Sequence, residues 1–200
     1  VGSEMCIRDR ERQTSLMISR DMDPAELGAL VCETLADNGI SAVLTGGTCV
    51  SVWTRNEFAS LDLDFIALSL HSNSEIARAL EGIGFQRSTS NARYFQHPDT
   101  ALSLEFPPGP LMVGDEHIAD KSVDRYATDL GVLRLLSPTD CVKDRLAGYY
   151  YFRDEQNLRQ AIAVARAHSV DWRNLERWHA TEGQAEGYVE FKAAVQGESR

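Results

Sequence analysis

Three acidic side chains set into apolar segments are the residues of this 200-residue chain whose types and spacing could do chemistry. Asp62 and Asp64 stand in the segment Leu61–Leu68, LDLDFIAL, and Glu105 in Ala101–Phe106, ALSLEF. Alternate side chains of a strand share a face, so Asp62 and Asp64 point one way while Leu61, Leu63 and Phe65 point the other; Glu105 likewise opposes Leu102 and Leu104. Two carboxylates about 7 Å apart along a strand repel each other and resist desolvation among apolar neighbours. A cation between them relieves both costs. Hard divalent ions such as Mg²⁺ or Mn²⁺ take oxygen ligands, commonly one or two carboxylates plus substrate phosphates. If the two strands are neighbours, Asp62, Asp64 and Glu105 are expected to converge as metal ligands and catalytic acids of a two-metal phosphoryl-transfer site.

A second group lies upstream. Ala42-Val43-Leu44-Thr45 reads as a short apolar strand that ends on Gly46-Gly47, after which a helix is predicted from about Thr48 to Arg55. Two glycines at a strand-to-helix turn let the backbone approach a polyphosphate and leave the free N–H groups of the helix start aimed at it. Thr48 would add a hydroxyl there. Further on, Asp140, Lys143, Asp144 and Ala147 share one helix face, with Val142, Leu146 and Tyr149 turned to the core. Lys143 is then free to reach into a cleft, where its compact charge suits a triphosphate; pairing with Asp140 is the equal alternative.

Strand, Gly-Gly, helix, D-x-D on the next strand and a later strand acid together resemble the nucleotidyltransferase-fold superfamily, which includes DNA polymerase beta and the kanamycin nucleotidyltransferases. The match lies in Leu44-Thr45-Gly46-Gly47, Asp62-Leu63-Asp64 and Glu105. More closely, the chain resembles the bacterial branch related to abortive-infection toxin nucleotidyltransferases, in which a helical segment follows. The resemblance covers about residues 40–110 and, loosely, 137–165. It implies a Mg²⁺-dependent enzyme that moves a nucleoside monophosphate from a nucleoside triphosphate such as ATP to an acceptor hydroxyl and releases pyrophosphate. In that reading Gly46, Gly47, Thr48 and Lys143 bind the nucleotide, and Asp62, Asp64 and Glu105 hold the metal. In the toxin-like relatives a helix lysine and a later aspartate complete the site, positions that Lys143 and Asp154 would fill. The acceptor is a protein hydroxyl, an RNA end or a small molecule. Two departures, Gly47 for the serine of many active members and Glu105 for aspartate, motivate the alternative. That alternative is a catalytically inactive nucleotide-binding or interaction module of the same fold, one half of a toxin–antitoxin pair with an antitoxin as partner.

The elements that must position these groups follow from the spacing of apolar residues. Asp23 caps and Pro24 opens a helix carrying Leu27, Leu30, Val31, Thr34 and Leu35 at helical spacing, which Asn38-Gly39 ends. A helix over Ser74 to Gly82, a strand over Arg93 to Gln96 and a hairpin around Asp129-Leu130-Gly131 follow. The fold class this predicts is α/β (α+β): a nucleotidyltransferase-like mixed sheet with flanking helices, then a C-terminal helical segment. Ser137-Pro138 opens that segment, with Asp140 at the capping-box position, and three more helices are expected from Asp154, from Asp171 and near Gln184. Both aspartates read most economically as N-caps. The run Tyr149 to Phe152 suits packing more than base stacking. The five dispersed histidines receive no ligand role. The expected divisions are 1–22 as a non-native or disordered leader, with a native start at Met17 or Met22, then 23–136 for the nucleotidyltransferase-like domain and 137–200 for the helical segment.

Composition narrows the classes further. With 43% apolar and 25% charged residues the chain can bury a core. No run of about 18 apolar residues offers a membrane span, and no signal-peptide pattern precedes the first helix. The net charge is −10, without a run of cations that could displace the counterions of a polyanion, so nonspecific DNA binding is disfavoured. Cys6, Cys32, Cys49 and Cys141 form no C-x-x-C pair, which argues against a zinc cage or a disulfide framework and fits a cytoplasmic setting.

Overall fold

Asp23 accepts the amide of Ala25 at 2.7 Å, Pro24 supplies the first turn, and the chain enters helix α1 (Pro24–Asp37). A computed structural model describes residues 18–69 and 71–197, so the expected leader lies outside them up to residue 17. After α1 come β1 (Ala42–Thr45), α2 (Gly46–Trp53), β2 (Asp62–Ala67), α3 (Asn73–Glu81), β3 (Gln86–Arg87), β4 (Tyr94–Gln96) and β5 (Ser103–Glu105). A small hairpin, β6 (Met112–Val113) with β7 (Glu116–His117), and a 3-10 turn at Asp120–Ser122 lead to β8 (Asp124–Thr128) and β9 (Gly131–Leu135). Four helices close the chain: α4 (Pro138–Phe152), α5 (Glu155–Ala167), α6 (Trp172–Thr181) and α7 (Ala185–Gln196). Among the described residues this is a mixed α/β structure with seven α-helices and a seven-stranded sheet, strand order β3-β4-β5-β2-β1-β9-β8. None of these helices is long and apolar enough to cross a membrane.

The chain groups into two units. One holds the described residues up to Leu44, Leu61–Pro110 and Arg125–Arg134; the other holds Thr45–Ser60, Leu111–Asp124 and the chain from Leu135 onward. A boundary near residue 136 was the expectation. Helix α2 and the segment with the β6–β7 hairpin group with the C-terminal helices, so the units interleave in sequence.

In the sheet unit, β2 and β5 run parallel and β4 is antiparallel to β3 and β5. Register places Leu63, Leu104 and Phe95 in one cross-strand row, each at most 1% exposed. Phe106 extends that apolar face, its ring stacked at 5.7 Å on Phe65 and edge-on at 5.6 Å to Phe95. Leu27, Val31 and Leu35 of α1 are fully buried. Gly28 lets α1 come close to this face, since a Cβ there would lie 2.9 Å from Leu133 and 3.6 Å from Leu63. At α3 a full capping box forms, with Ser72 accepting the Glu75 amide at 3.2 Å and Glu75 accepting the Ser72 amide at 2.8 Å.

In the helical unit, Ser137 caps α4 by accepting the Asp140 amide at 3.1 Å, Pro138 opens the first turn, and Arg153 ends it in the left-handed region at φ 58°. Asp154 and Asp171 are N-caps, as the economical reading had them, accepting Gln156 and Asn174 amides at 2.9 and 3.0 Å. The core gathers on His179, fully buried, with Nδ1 2.7 Å from the Leu175 carbonyl and Nε2 3.1 Å from the Tyr150 hydroxyl. Rings of Trp178, Tyr188 and Phe191 surround it, and burial pushes its pKa below the ordinary histidine value. Tyr150 therefore packs, while Tyr151 and Phe152 stay exposed. Trp178 Nε1 donates to the Val113 carbonyl at 3.1 Å and so ties down the β6–β7 hairpin.

Candidate active site

Opposite its apolar rows, the sheet unit carries a polar face, and register makes it orderly. Gln86 pairs with Gln96, Gln96 with Ser103, and Ser103 with Asp62, which sets four polar side chains in one row across β3, β4, β5 and β2. Two residues along, on the same face, Tyr94 pairs with Glu105 and Glu105 with Asp64. The condition set by the sequence is met: β2 and β5 are neighbours, and Asp62, Asp64 and Glu105 share one face. Adjacent strands stand about 4.8 Å apart, so Asp64 and Glu105 lie at near-neighbour distance across the pair. Both are half-buried, and Asp62 is exposed.

Asp62 is held by hydroxyls. The Tyr94 hydroxyl donates to its Oδ1 at 2.6 Å, Ser103 Oγ donates to the same oxygen, and the two hydroxyls lie 2.6 Å apart. The hydrogen bond to Asp62 raises the Tyr94 pKa above the usual phenol value, with the charges of Asp62 and Glu105 adding in the same direction. Neither Tyr94 nor Ser103 stood out in the sequence. Ser103 carried a usable signal, lying two residues before Glu105 on the same strand face; Tyr94 did not, because only the β4–β5 register brings it there.

The expected convergence of three carboxylates on one point is not formed. Among the described residues no three His, Cys, Asp or Glu side chains gather closely enough to hold a metal ion. At Asp62, Oδ1 is engaged by the hydroxyls of Tyr94 and Ser103.

The glycine pair belongs to the helical unit. Gly46 and Gly47 are the first residues of α2 itself, and the predicted start at Thr48 is two residues late. Gly46 takes φ +67°, a conformation glycine adopts without strain. At Gly47 a Cβ would stand 3.3 Å from Ser60 Oγ, a close approach of side chain to backbone. Thr45 makes no side-chain cap, so the cap hydrogen bond usual at a helix start is missing here. Thr48 departs from expectation: its side chain is fully buried, and its hydroxyl is not presented at the surface of the helix start.

Lys143 is the larger correction. It is not free to reach a cleft but fully buried, with Nζ 2.9 Å from Glu116 and 3.1 Å from Asp140. The alternative pairing with Asp140 is the one found, and Glu116 of β7 is the partner the sequence did not indicate. Its charge is compensated by these two carboxylates. Asp154, as the cap of α5, is likewise engaged.

Compared with known proteins, the chain matches no family model, and no curated protein is significantly similar to it.

Proposed function

We propose that this chain is a Mg²⁺-dependent nucleotidyltransferase of the nucleotidyltransferase fold, transferring a nucleoside monophosphate from a triphosphate to an acceptor hydroxyl. The observation that carries this reading is the register of β2 and β5, which sets Asp64 beside Glu105 and Asp62 one step along the same polar face. Carboxylates crowd on an open sheet face at a cost in repulsion that a cation removes. Asp64 and Glu105 suit a hard divalent ion of the kind that takes one or two carboxylates and completes its shell with water and phosphate oxygens. When bound, Mg²⁺ would supply charge neutralisation for the triphosphate and acidify the acceptor hydroxyl.

The chain's own groups then divide the work. Glu105 takes up the proton of the acceptor hydroxyl as its oxygen bonds to the α-phosphorus; the bond between the α-phosphorus and its bridging oxygen breaks, and pyrophosphate leaves. Asp64 fixes the cation, while Asp62 is anchored on the same face by Tyr94 and Ser103. Lys143 and the Thr48 hydroxyl have no part.

The test is titration of ATP with and without Mg²⁺, followed by a pyrophosphate-release assay with cell extract as the source of acceptor. Metal-dependent binding together with pyrophosphate release supports the reading; no metal-dependent binding overturns it. Binding without release favours the second reading, a nucleotide-binding module without turnover. The Tyr94 and Ser103 hydroxyls that occupy Oδ1 of Asp62 speak for that alternative.

A further inference from the structure

A groove of about 550 Å³ opens on α5 in the helical unit, lined by no residue given a role above. Its volume lies in the range of small-molecule sites, about 300 to 1,000 Å³. Arg159, Ile162, Ala163, Arg166 and Ala167 form one stripe of the helix, about 12 Å long at the helical rise. Glu57 and Phe58, from the chain after α2, complete the lining. An unusual turn sets their place. Arg55 and Asn56 both take the left-handed region, at φ 52° and 63°, where a side chain is strained. Hydrogen bonds hold them there: the Asn56 amide donates to the Ser51 carbonyl at 2.7 Å, and Ser51 Oγ donates to the Phe58 carbonyl.

The lining joins an apolar floor to charges of unequal freedom. Phe58, Ile162 and Ala163 are half-buried. Arg166 is committed: its Nε donates to the Val195 carbonyl at 3.1 Å and its Nη2 to the Ala194 carbonyl at 2.6 Å, at the last turn of α7. Arg159 is exposed, and among the described residues its guanidinium has no hydrogen-bond or ion-pair partner. A guanidinium matches a carboxylate through two parallel hydrogen bonds, and the apolar surface beside it gains from being covered. An inorganic anion would leave that surface in water; a neutral hydrocarbon would leave Arg159 unmatched. Glu57 is the one acid in the lining and stands against two cations, so the balance favours an anion. Seven lining residues are few beside the roughly 20 to 30 a side of a stable protein interface, which favours a small molecule over a protein partner. We propose that this groove binds a small amphiphilic carboxylate, with the carboxylate on Arg159 and the hydrocarbon chain along Ile162 and Ala163 beside Phe58. This binding is independent of the nucleotidyl-transfer reading.

Binding is measured on the full chain, without nucleotide and at low salt, by calorimetry and saturation-transfer NMR with four probes: octanoate, hexanoate, octan-1-ol and octyltrimethylammonium. Octanoate binds. Octanol and octyltrimethylammonium carry a chain of the same length without the carboxylate and bind at least about fivefold more weakly, the order of one charge-assisted hydrogen bond at an exposed side chain. Hexanoate, two methylenes shorter, binds about fivefold more weakly. Arg159→Gln weakens octanoate at least about fivefold and removes its advantage over octanol. Glu57→Gln binds octanoate at least as tightly as the wild type, because the acid it removes can only repel a carboxylate. Both positions are exposed, so both variants keep the fold, which circular dichroism checks. The proposal is overturned if octanoate does not bind, if either of the other eight-carbon probes or hexanoate binds as well, or if Arg159→Gln leaves the affinity unchanged. A loss of affinity in folded Glu57→Gln would also overturn it.

Discussion

The hydroxyl of Tyr94 on β4 donates to Asp62 on β2 at 2.6 Å, reaching across the intervening strand β5 and past the Ser103 hydroxyl. A phenol that donates to a carboxylate gives up its proton less readily, because the phenolate would face that negative charge. Asp62→Asn removes the charge and keeps the shape, so the Tyr94 pKa should fall toward its ordinary value near 10. Ultraviolet difference titration of D62N against D62N/Y94F isolates the residue. The sign for stability follows: a folded-state pKa above the unfolded value adds stability that is fully present below about pH 10 and lost as pH rises through the folded value. An unchanged Tyr94 titration in D62N would show that the carboxylate does not set it.

Asp64→Asn and Glu105→Gln test the register pair. If both carboxylates share a cation, each variant loses Mg²⁺-dependent nucleotide binding together with transfer. Removing an outer-shell partner of a metal ligand costs about 10- to 100-fold, so removing a ligand should cost at least about 100-fold. Circular dichroism and thermal unfolding should be near wild type, since both side chains are half-buried on a polar face and leave the apolar row of Leu63, Leu104 and Phe95 untouched. Activity kept in either folded variant removes that residue from the site.

Lys143→Met leaves Asp140 and Glu116 facing each other without their cation. Breaking a buried ion pair by deleting one partner costs about 3 to 5 kcal/mol; the partial exposure of Glu116 places this case at or below the lower end. The loss should appear as a lower urea midpoint, with nucleotide affinity unchanged in the fraction that remains folded. A weakened affinity with unchanged stability would restore the phosphate-binding role that the buried geometry removes.

Local signals in the sequence were the readable ones. Asp23-Pro24, Ser137-Pro138, Asp154 and Asp171 act within a few residues of themselves, and each caps the helix expected of it. The alternation in LDLDF and LSLEF likewise fixed which face each acid takes, because a strand's period is set by its own backbone. Local spacing does not carry the features that depend on partners distant in sequence. Around Lys143 the helix spacing offers Asp140 alone, and Glu116, 27 residues earlier, lies on a two-residue strand too short to carry a periodic signal. Thr48 is the third residue of a helix that already includes both glycines, and its side chain is buried in the interior. Tyr94 could be joined to Asp62 only through the register of β4 on β5.

Histidine 179 makes the last prediction a matter of pH. Its ring is fully buried among Tyr150, Trp178, Tyr188 and Phe191, and Nδ1 lies 2.7 Å from the Leu175 carbonyl, which places the ring proton there and leaves Nε2 to accept from the Tyr150 hydroxyl. A second proton would have to go on Nε2, against an apolar cage and in place of an accepted hydrogen bond, so burial lowers the pKa in the folded state. The unfolded chain titrates near the ordinary 6.5. Below that value the unfolded state binds a proton that the folded state refuses, and stability falls as pH drops toward the folded pKa. His97 shifts the same way and adds to the slope. Thermal unfolding from pH 7.5 down to 5 should show a falling midpoint, and His179→Gln, though less stable throughout, should flatten it because glutamine does not titrate in this range. A slope unchanged in that variant would assign the acid sensitivity to another group.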